Sequence, residues 1–97
     1  PAANEYRSRH ILVASEAEAK TIITQLKGGA DFAKIASEKS RDEGTKAKGG
    51  ELDWAVPATY VRPFAEALAR LKKGETTENP VQSNFGWHVI RLEDIRP

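Results

Sequence analysis

Two stretches near opposite ends of the chain alternate like strands while staying apolar on both faces: Arg9-His10-Ile11-Leu12-Val13 and Trp87-His88-Val89-Ile90-Arg91-Leu92. Alternation groups His10 with Leu12, and His88 with Ile90 and Leu92. It leaves Ile11, Val13, Trp87 and Val89 for the opposite faces. Strands covered on both sides belong in the middle of a sheet. The first is expected over residues 6–13. Ser15-Glu16-Ala17-Glu18 then has the form of a capping box, in which hydroxyl and carboxylate each satisfy an orphan backbone donor. The helix it opens carries Ala19, Ile22, Ile23 and Leu26 on one face and stops at Gly28-Gly29. Asp31 is placed to cap a second helix that ends near Ser40 and turns Phe32, Ile35 and Ala36 inward.

Residues 41–50 hold three glycines and nothing apolar larger than alanine, so they read as a loop. A short strand over 52–54 and an irregular piece over 55–62 follow. Pro63 suits the first position of a third helix, where its missing N–H costs nothing. Phe64, Leu68 and Leu71 form that helix's buried stripe, and Gly74 is expected to end it. Residues 80–83 read as a short strand, with Asn84-Phe85-Gly86 turning the chain into the last one. The order β-α-α-β-α-β-β is that of an α+β domain, a small sheet flanked by helices.

Composition narrows the reading. The 97 residues, 39% of them hydrophobic, make one domain with one modest core. Residues 1–5 read as a flexible lead-in and 6–97 as the domain. Fifteen basic and fourteen acidic residues are well mixed and leave a net charge of +1, so neither nucleic acid nor an anionic membrane meets a concentrated basic face. No apolar stretch approaches the ~18–20 residues that cross a bilayer. With no cysteine, disulfides and thiolate chemistry are excluded. The chain starts with Pro and shows no signal-peptide pattern, which fits a processed or excised piece. Two imidazoles in a sheet centre are either two separately satisfied core histidines, or a pair bonded to each other or to a shared partner. A metal pair lacks a third obvious ligand and any HxxxH or CxxC spacing, so no metal is expected.

The segments between the histidines favour the pair. Gly29-Ala30-Asp31-Phe32-Ala33, Gly49-Gly50-Glu51-Leu52-Asp53-Trp54, Val61-Arg62-Pro63-Phe64 and the run Asn79-Pro80-Val81-Gln82-Ser83-Asn84-Phe85-Gly86-Trp87-His88 follow His10-Ile11-Leu12-Val13 in order. Together they resemble the parvulin family of peptidyl-prolyl cis/trans isomerases, over about residues 6–92. The resemblance implies a four-stranded antiparallel sheet surrounded by helices. It also implies an activity on X–Pro bonds, whose cis/trans barrier is about 20 kcal/mol. Lowering that barrier takes an apolar pocket for the proline ring and a few fixed polar groups around the rotating bond. It takes no metal, nucleophile or cofactor.

By that resemblance the proline pocket is lined by Leu52, Tyr60 and Phe64, with Phe85 at its rim. Tyr60 stands where the family commonly has methionine and adds a hydroxyl, which either narrows the pocket or brings a new hydrogen bond. His10 and His88 match the paired histidines under the pocket, expected to fix tautomers and hold the Ser83 hydroxyl. Asp42 occupies a position where some relatives have cysteine. A carboxylate there favours a non-covalent mechanism, because its charge discourages the partial negative charge of the planar amide's oxygen. As a loop residue answering to no helix or strand pattern, Asp42 is expected to matter for rate and little for stability; its plainer reading is one solvated charge among others.

Two departures bear on the rest. Asp53 replaces the last glycine of the family's Gly-Gly-Asp-Leu-Gly, at a position where positive φ is often tolerated. Helix one opens two residues after Val13, leaving no room for the basic insertion of phosphate-directed parvulins, so selectivity for phosphorylated Ser/Thr–Pro is not expected. The functional expectation is an isomerase acting on proline-containing peptides and unfolded proteins. The alternative is a weakly active peptide-binding module of a larger chaperone. An isolated domain of this kind is expected to be monomeric and to derive from a larger periplasmic or extracytoplasmic protein. An anion-binding role for 41–50 lacks the strand–GxxxxGK[ST]–helix context.

Overall fold

The computed structural model describes residues 4–97. The chain runs β1 (Glu5–Val13), α1 (Glu16–Lys27), α2 (Phe32–Lys39), β2 (Glu51–Ala55), α3 (Arg62–Arg70), β3 (Val81–Ser83) and β4 (Gly86–Arg96), with single 3₁₀ turns at Lys46–Lys48 and Pro57–Thr59. The strands form one antiparallel sheet in the order β2-β1-β4-β3. The two histidine strands are its centre, as their two-sided apolar character requires. Part of the expected lead-in over 1–5 lies outside the described residues, and Glu5 already belongs to β1.

Each face of the sheet has its own core. Ile11, Val13 and Val89 pack beneath Ala19, Ile22 and Ile23 of α1 and Phe32, Ile35 and Ala36 of α2. On the other face Ile90 and Leu92 pack beneath Phe64 and Leu68 of α3, with Tyr6, Leu52, Tyr60, Leu71 and Val81 around them. The helix ends follow their caps. Ser15 Oγ accepts from the Glu18 N–H at 3.2 Å, the hydroxyl half of the box, and Asp31 Oδ1 accepts from the Ala33 N–H at 3.0 Å. Helix three differs from expectation at both ends. Arg62 precedes Pro63, whose missing N–H is still one of the orphan donors. The helix stops at Arg70, and Leu71 reaches the core from an extended backbone rather than from the helical stripe. Gly74 sits beyond it, donating its N–H to the Leu92 carbonyl at 2.7 Å.

The edge strands are shorter than the central ones, so irregular segments must satisfy the remaining backbone. Residues 74–77 do so along β4, where Thr77 donates its N–H to Ile90 O and accepts the Ile90 N–H on its hydroxyl. Along the upper half of β1 the 40–50 loop does it from both ends. The Leu12 N–H goes to Ser40 Oγ at 3.1 Å, the Arg41 N–H to Leu12 O at 2.7 Å, and the His10 N–H to Gly50 O at 3.0 Å. Gly50 has φ +84°, and a Cβ there would run into the His10 carbonyl. β2 is bulged against β1 between Ser8 and Arg9. Asp53 beside that bulge has φ +64° and is the one non-glycine residue with positive φ among those described, matching the place where the family's glycine is missing.

Gly50→Ala combines an unfavourable φ with a backbone collision, and it should cost about 2–4 kcal/mol in urea denaturation. Asp53→Gly relaxes the backbone while losing the exposed hydrogen bond from the Trp54 N–H to Asp53 Oδ1 at 2.8 Å, and it should change stability by less than about 1 kcal/mol.

Candidate active site

His10 and Leu12 on β1, and His88 and Ile90 on β4, share the α3 face of the sheet. The register sets His10 opposite Ile90 and Leu12 opposite His88, so the histidines are diagonal neighbours. Their rings stack at 5.3 Å between centroids with 20° between planes. Phe64 lies edge-on to both, at 5.6 and 5.3 Å, and Tyr60 tilts against Phe64 at 4.7 Å. Both histidines are buried.

Their nitrogens form one hydrogen-bonded chain. Asp42 Oδ2 is 2.7 Å from His10 Nε2, His10 Nδ1 is 3.0 Å from His88 Nδ1, and His88 Nε2 is 2.7 Å from Ser83 Oγ. Ser83 Oγ also accepts the Phe85 N–H at 3.1 Å. With Asp42 ionised and both rings neutral, only one proton pattern satisfies every member. His10 donates from Nε2 to the carboxylate and accepts on Nδ1. His88 donates from Nδ1 and accepts on Nε2 from the Ser83 hydroxyl. All the donors point toward Asp42.

The electrostatics agree with that pattern. Burial lowers the His10 imidazole against the opposing pull of Asp42. Burial, then the neighbouring His10, brings His88 down to about 4. Burial pushes the Asp42 carboxyl up, but hydrogen bonds from Thr45 and His10 outweigh it and hold the group below the usual carboxylate range.

A cavity of about 320 Å³ opens over the histidines. Seven of the eight expected site residues line it: His10, Asp42, Leu52, Tyr60, Phe64, Phe85 and His88. Ser83 stands behind His88 and joins through the bond to its Nε2. Phe85 is 65% exposed at the mouth, an aromatic left in water beside a cavity. Burial raises the Tyr60 phenol, and the Ser8 hydroxyl faces it without reaching hydrogen-bonding geometry. Leu12, Thr59 and Val61 also line the cavity and carry no sequence signal that separates them from ordinary packing residues.

Asp42 departs from the expectation of a residue unimportant to stability. Besides His10, its carboxylate accepts from Thr45 Oγ1 at 2.6 Å and from the Gly44 N–H at 3.4 Å, and its own N–H reaches Ser40 Oγ at 3.3 Å. It is a structural pin of the loop as well as a wall of the cavity. Ser40 and Thr45 were not candidates from sequence, although Asp-x-Gly-Thr has the composition of a side-chain-bonded turn.

Comparison with known proteins fits this geometry. The family model of the rotamase, or PPIC-type PPIase, domain matches residues 4–94. The chain belongs to the parvulin-type peptidyl-prolyl cis/trans isomerases. A Bordetella pertussis protein named as a probable parvulin-type peptidyl-prolyl cis-trans isomerase is 47% identical over 94 residues, which are 96% of this chain and 36% of that protein. The chaperone SurA of Saccharophagus degradans is 41% identical over 102 aligned residues, covering 96% of this chain and 24% of SurA. A solved structure from work on PEB4 and the periplasmic protein Cj1289, SurA-like chaperones of Campylobacter jejuni, superposes with a TM-score of 0.93 at 46% identity. It covers 98% of this chain and 40% of that one. The chain spans about a third of the length of the Bordetella pertussis relative and about a quarter of the Saccharophagus degradans chaperone SurA. No helix among its described residues is long and apolar enough to cross a membrane.

Removing either histidine of this parvulin domain strands a buried nitrogen on the other. His10→Leu and His88→Leu should each cost about 1–3 kcal/mol, and the double variant less than their sum, as a double-mutant cycle by denaturation will measure. Acid should also unfold the domain in a defined window. A histidine whose folded pKa is lowered contributes stability in full above its unfolded value near 6.5, and that contribution is lost as pH falls toward the folded value. For His88 the window is pH 6.5 to about 4, with a loss on the order of 3 kcal/mol. Asp42, also lowered, holds its contribution until pH falls below the usual carboxylate range. Denaturation midpoints from pH 7.5 to 4 should therefore decline in wild type and decline less in His88→Leu.

Proposed function

We propose that this domain accelerates cis/trans exchange at X–Pro bonds of unfolded or extended polypeptides by a non-covalent route, without requiring a phosphate, as one segment of a larger periplasmic or extracytoplasmic chaperone. The observation that carries the reading is an apolar cavity with a single ionised carboxylate in its wall. Leu52, Tyr60 and Phe64 form an apolar seat for the proline ring, and Phe85 adds apolar surface at the mouth. Asp42 faces the same space.

Planar amides concentrate negative charge on the carbonyl oxygen, and twisting the C–N bond withdraws it. A fixed carboxylate near that oxygen therefore disfavours the planar states more than the twisted one, which lowers the barrier without bond making. His10, His88 and Ser83 keep the carboxylate in place and ionised rather than touching the reacting bond. No nucleophilic sulfur is available in a chain without cysteine. The tight β1–α1 connection, with Ser15 capping α1 two residues after Val13, leaves no basic loop over the cavity to hold a phosphate. Periplasmic placement is supported by the similarity to the SurA-like chaperones of Campylobacter jejuni, among them the periplasmic protein Cj1289.

Exchange NMR on short unphosphorylated X–Pro peptides should show acceleration by the isolated domain, with no gain on phosphorylating a Ser before the proline. Asp42→Asn keeps shape and removes charge, and it should slow exchange at least about tenfold. Asp42→Ala should add a loss of about 1.5–3 kcal/mol of stability. Wild-type rates in the Asn variant would remove the charge from the mechanism. Peptide binding without acceleration in the wild type would identify a binding module instead.

A further inference from the structure

Thr45 opens the 3₁₀ turn Lys46–Lys48, yet its hydroxyl caps none of that turn's N–H groups. It points back to Asp42 Oδ2 at 2.6 Å, the same oxygen that receives His10 Nε2 at 2.7 Å. The Thr45 backbone holds this arrangement. Its N–H goes to Asp42 O at 3.2 Å, and its carbonyl accepts the N–H groups of Lys48 and Gly50, both at 2.9 Å. Thr45 therefore links Asp42 to the glycine that docks on His10. Each donor to Oδ2 favours the ionised carboxylate, because a hydrogen bond to a charged oxygen is stronger than one to a protonated oxygen.

We infer that Thr45 is a positioning residue that sets the direction of the Asp42–His10–His88–Ser83 chain. The inference deepens the proposed isomerase reading. Without the second donor, Oδ2 takes up a proton at higher pH, keeps it, and donates that O–H as a hydrogen bond to His10 Nε2. His10 then carries its hydrogen on Nδ1 and donates to His88 Nδ1, which shifts the His88 hydrogen to Nε2 and makes Ser83 an acceptor. One added proton thus reverses all three bonds and neutralises the carboxylate that faces the cavity. The chain thus has two states of opposite polarity, of which the reversed one leaves the Ser83 hydroxyl hydrogen to find another acceptor, and the Thr45 hydroxyl favours the one with Asp42 charged.

Few other groups can interfere. α3 presents Phe64 to the imidazoles and β2 presents Leu52. The 57–60 turn brings Tyr60, which with Asp42 and the two histidines completes the titratable lining of the cavity. β4 contributes His88 itself. In the loop, Arg41, Glu43 and Lys46 flank Asp42 and Thr45 in sequence; Arg41 and Glu43 are exposed and Lys46 is half-buried.

The test uses ¹⁵N-labelled histidine side chains of the whole domain, whose Nδ1 and Nε2 shifts report tautomers without reference to activity. The wild type near pH 7 should show His10 protonated on Nε2 and His88 on Nδ1; the opposite tautomers would overturn the inference without any variant. In Thr45→Val the tautomers should exchange on acidification, and the acid limb of the exchange-rate profile should move up by about one pH unit, the effect of losing a hydrogen bond to a carboxylate. Thr45→Ser should restore both. Identical tautomers and acid limb in Thr45→Val, or failure of Ser to restore them, would overturn it. If the wild type does not accelerate exchange, the isomerase reading fails and the histidine shifts still decide the role of Thr45.

Discussion

The 3.0 Å contact between His10 Nδ1 and His88 Nδ1 is the interaction on which the rest depends. It joins the two central strands through side chains as well as backbone, in a place where an unpaired imidazole nitrogen has no water to turn to. Once two ring nitrogens face each other, one must donate and the other accept. Each remaining nitrogen is thereby assigned a role, and partners of the right kind must sit on either side. Asp42 supplies an acceptor at one end and Ser83 a hydroxyl at the other. That buried contact makes the bonds run one way through the whole site, and the carboxylate at one end fixes which way.

That requirement explains how the 40–50 loop is built. A loop carrying a carboxylate into a half-buried position would ordinarily swing out to water. This one is held by Ser40, Arg41 and Gly50 to the free edge of β1, the same stretch that carries His10. The backbone bonds that complete an under-paired strand also aim Asp42 at the imidazole. The geometry of the candidate site and sheet completion share the same atoms, so Gly50 and Ser40 matter to the site without lining the cavity.

The two faces of the sheet divide the work. The face under α1 and α2 is an apolar core of aliphatic side chains and Phe32. The face under α3 mixes a smaller apolar cluster with the histidine pair and leaves room for a cavity. α3 is thus both a packing element and the wall of the site: Phe64 contributes its ring to the core, to both imidazoles and to the cavity at once.

Much of this was legible in the chain, for physical reasons that can be assigned. Periodicity determined the strands, the two capped helices and which face each histidine takes, because side-chain direction is a local property of backbone geometry. The ordered motifs pointed to the family and to seven of the ten residues that line the cavity. The end of α3 was misjudged because Leu71 keeps the helical spacing while its backbone turns extended, and spacing alone does not see dihedral angles. The hydrogen bonds that tie Asp42 to Ser40, Gly44 and Thr45 were hidden for a different reason. A loop's hydrogen bonds depend on which strand edge it meets, and that edge is exposed only because β2 stops short along β1. The sequence by itself determined which groups were available to bond. Only the tertiary structure decided their partners and the direction of their protons, since both are set by contacts between segments far apart in the chain.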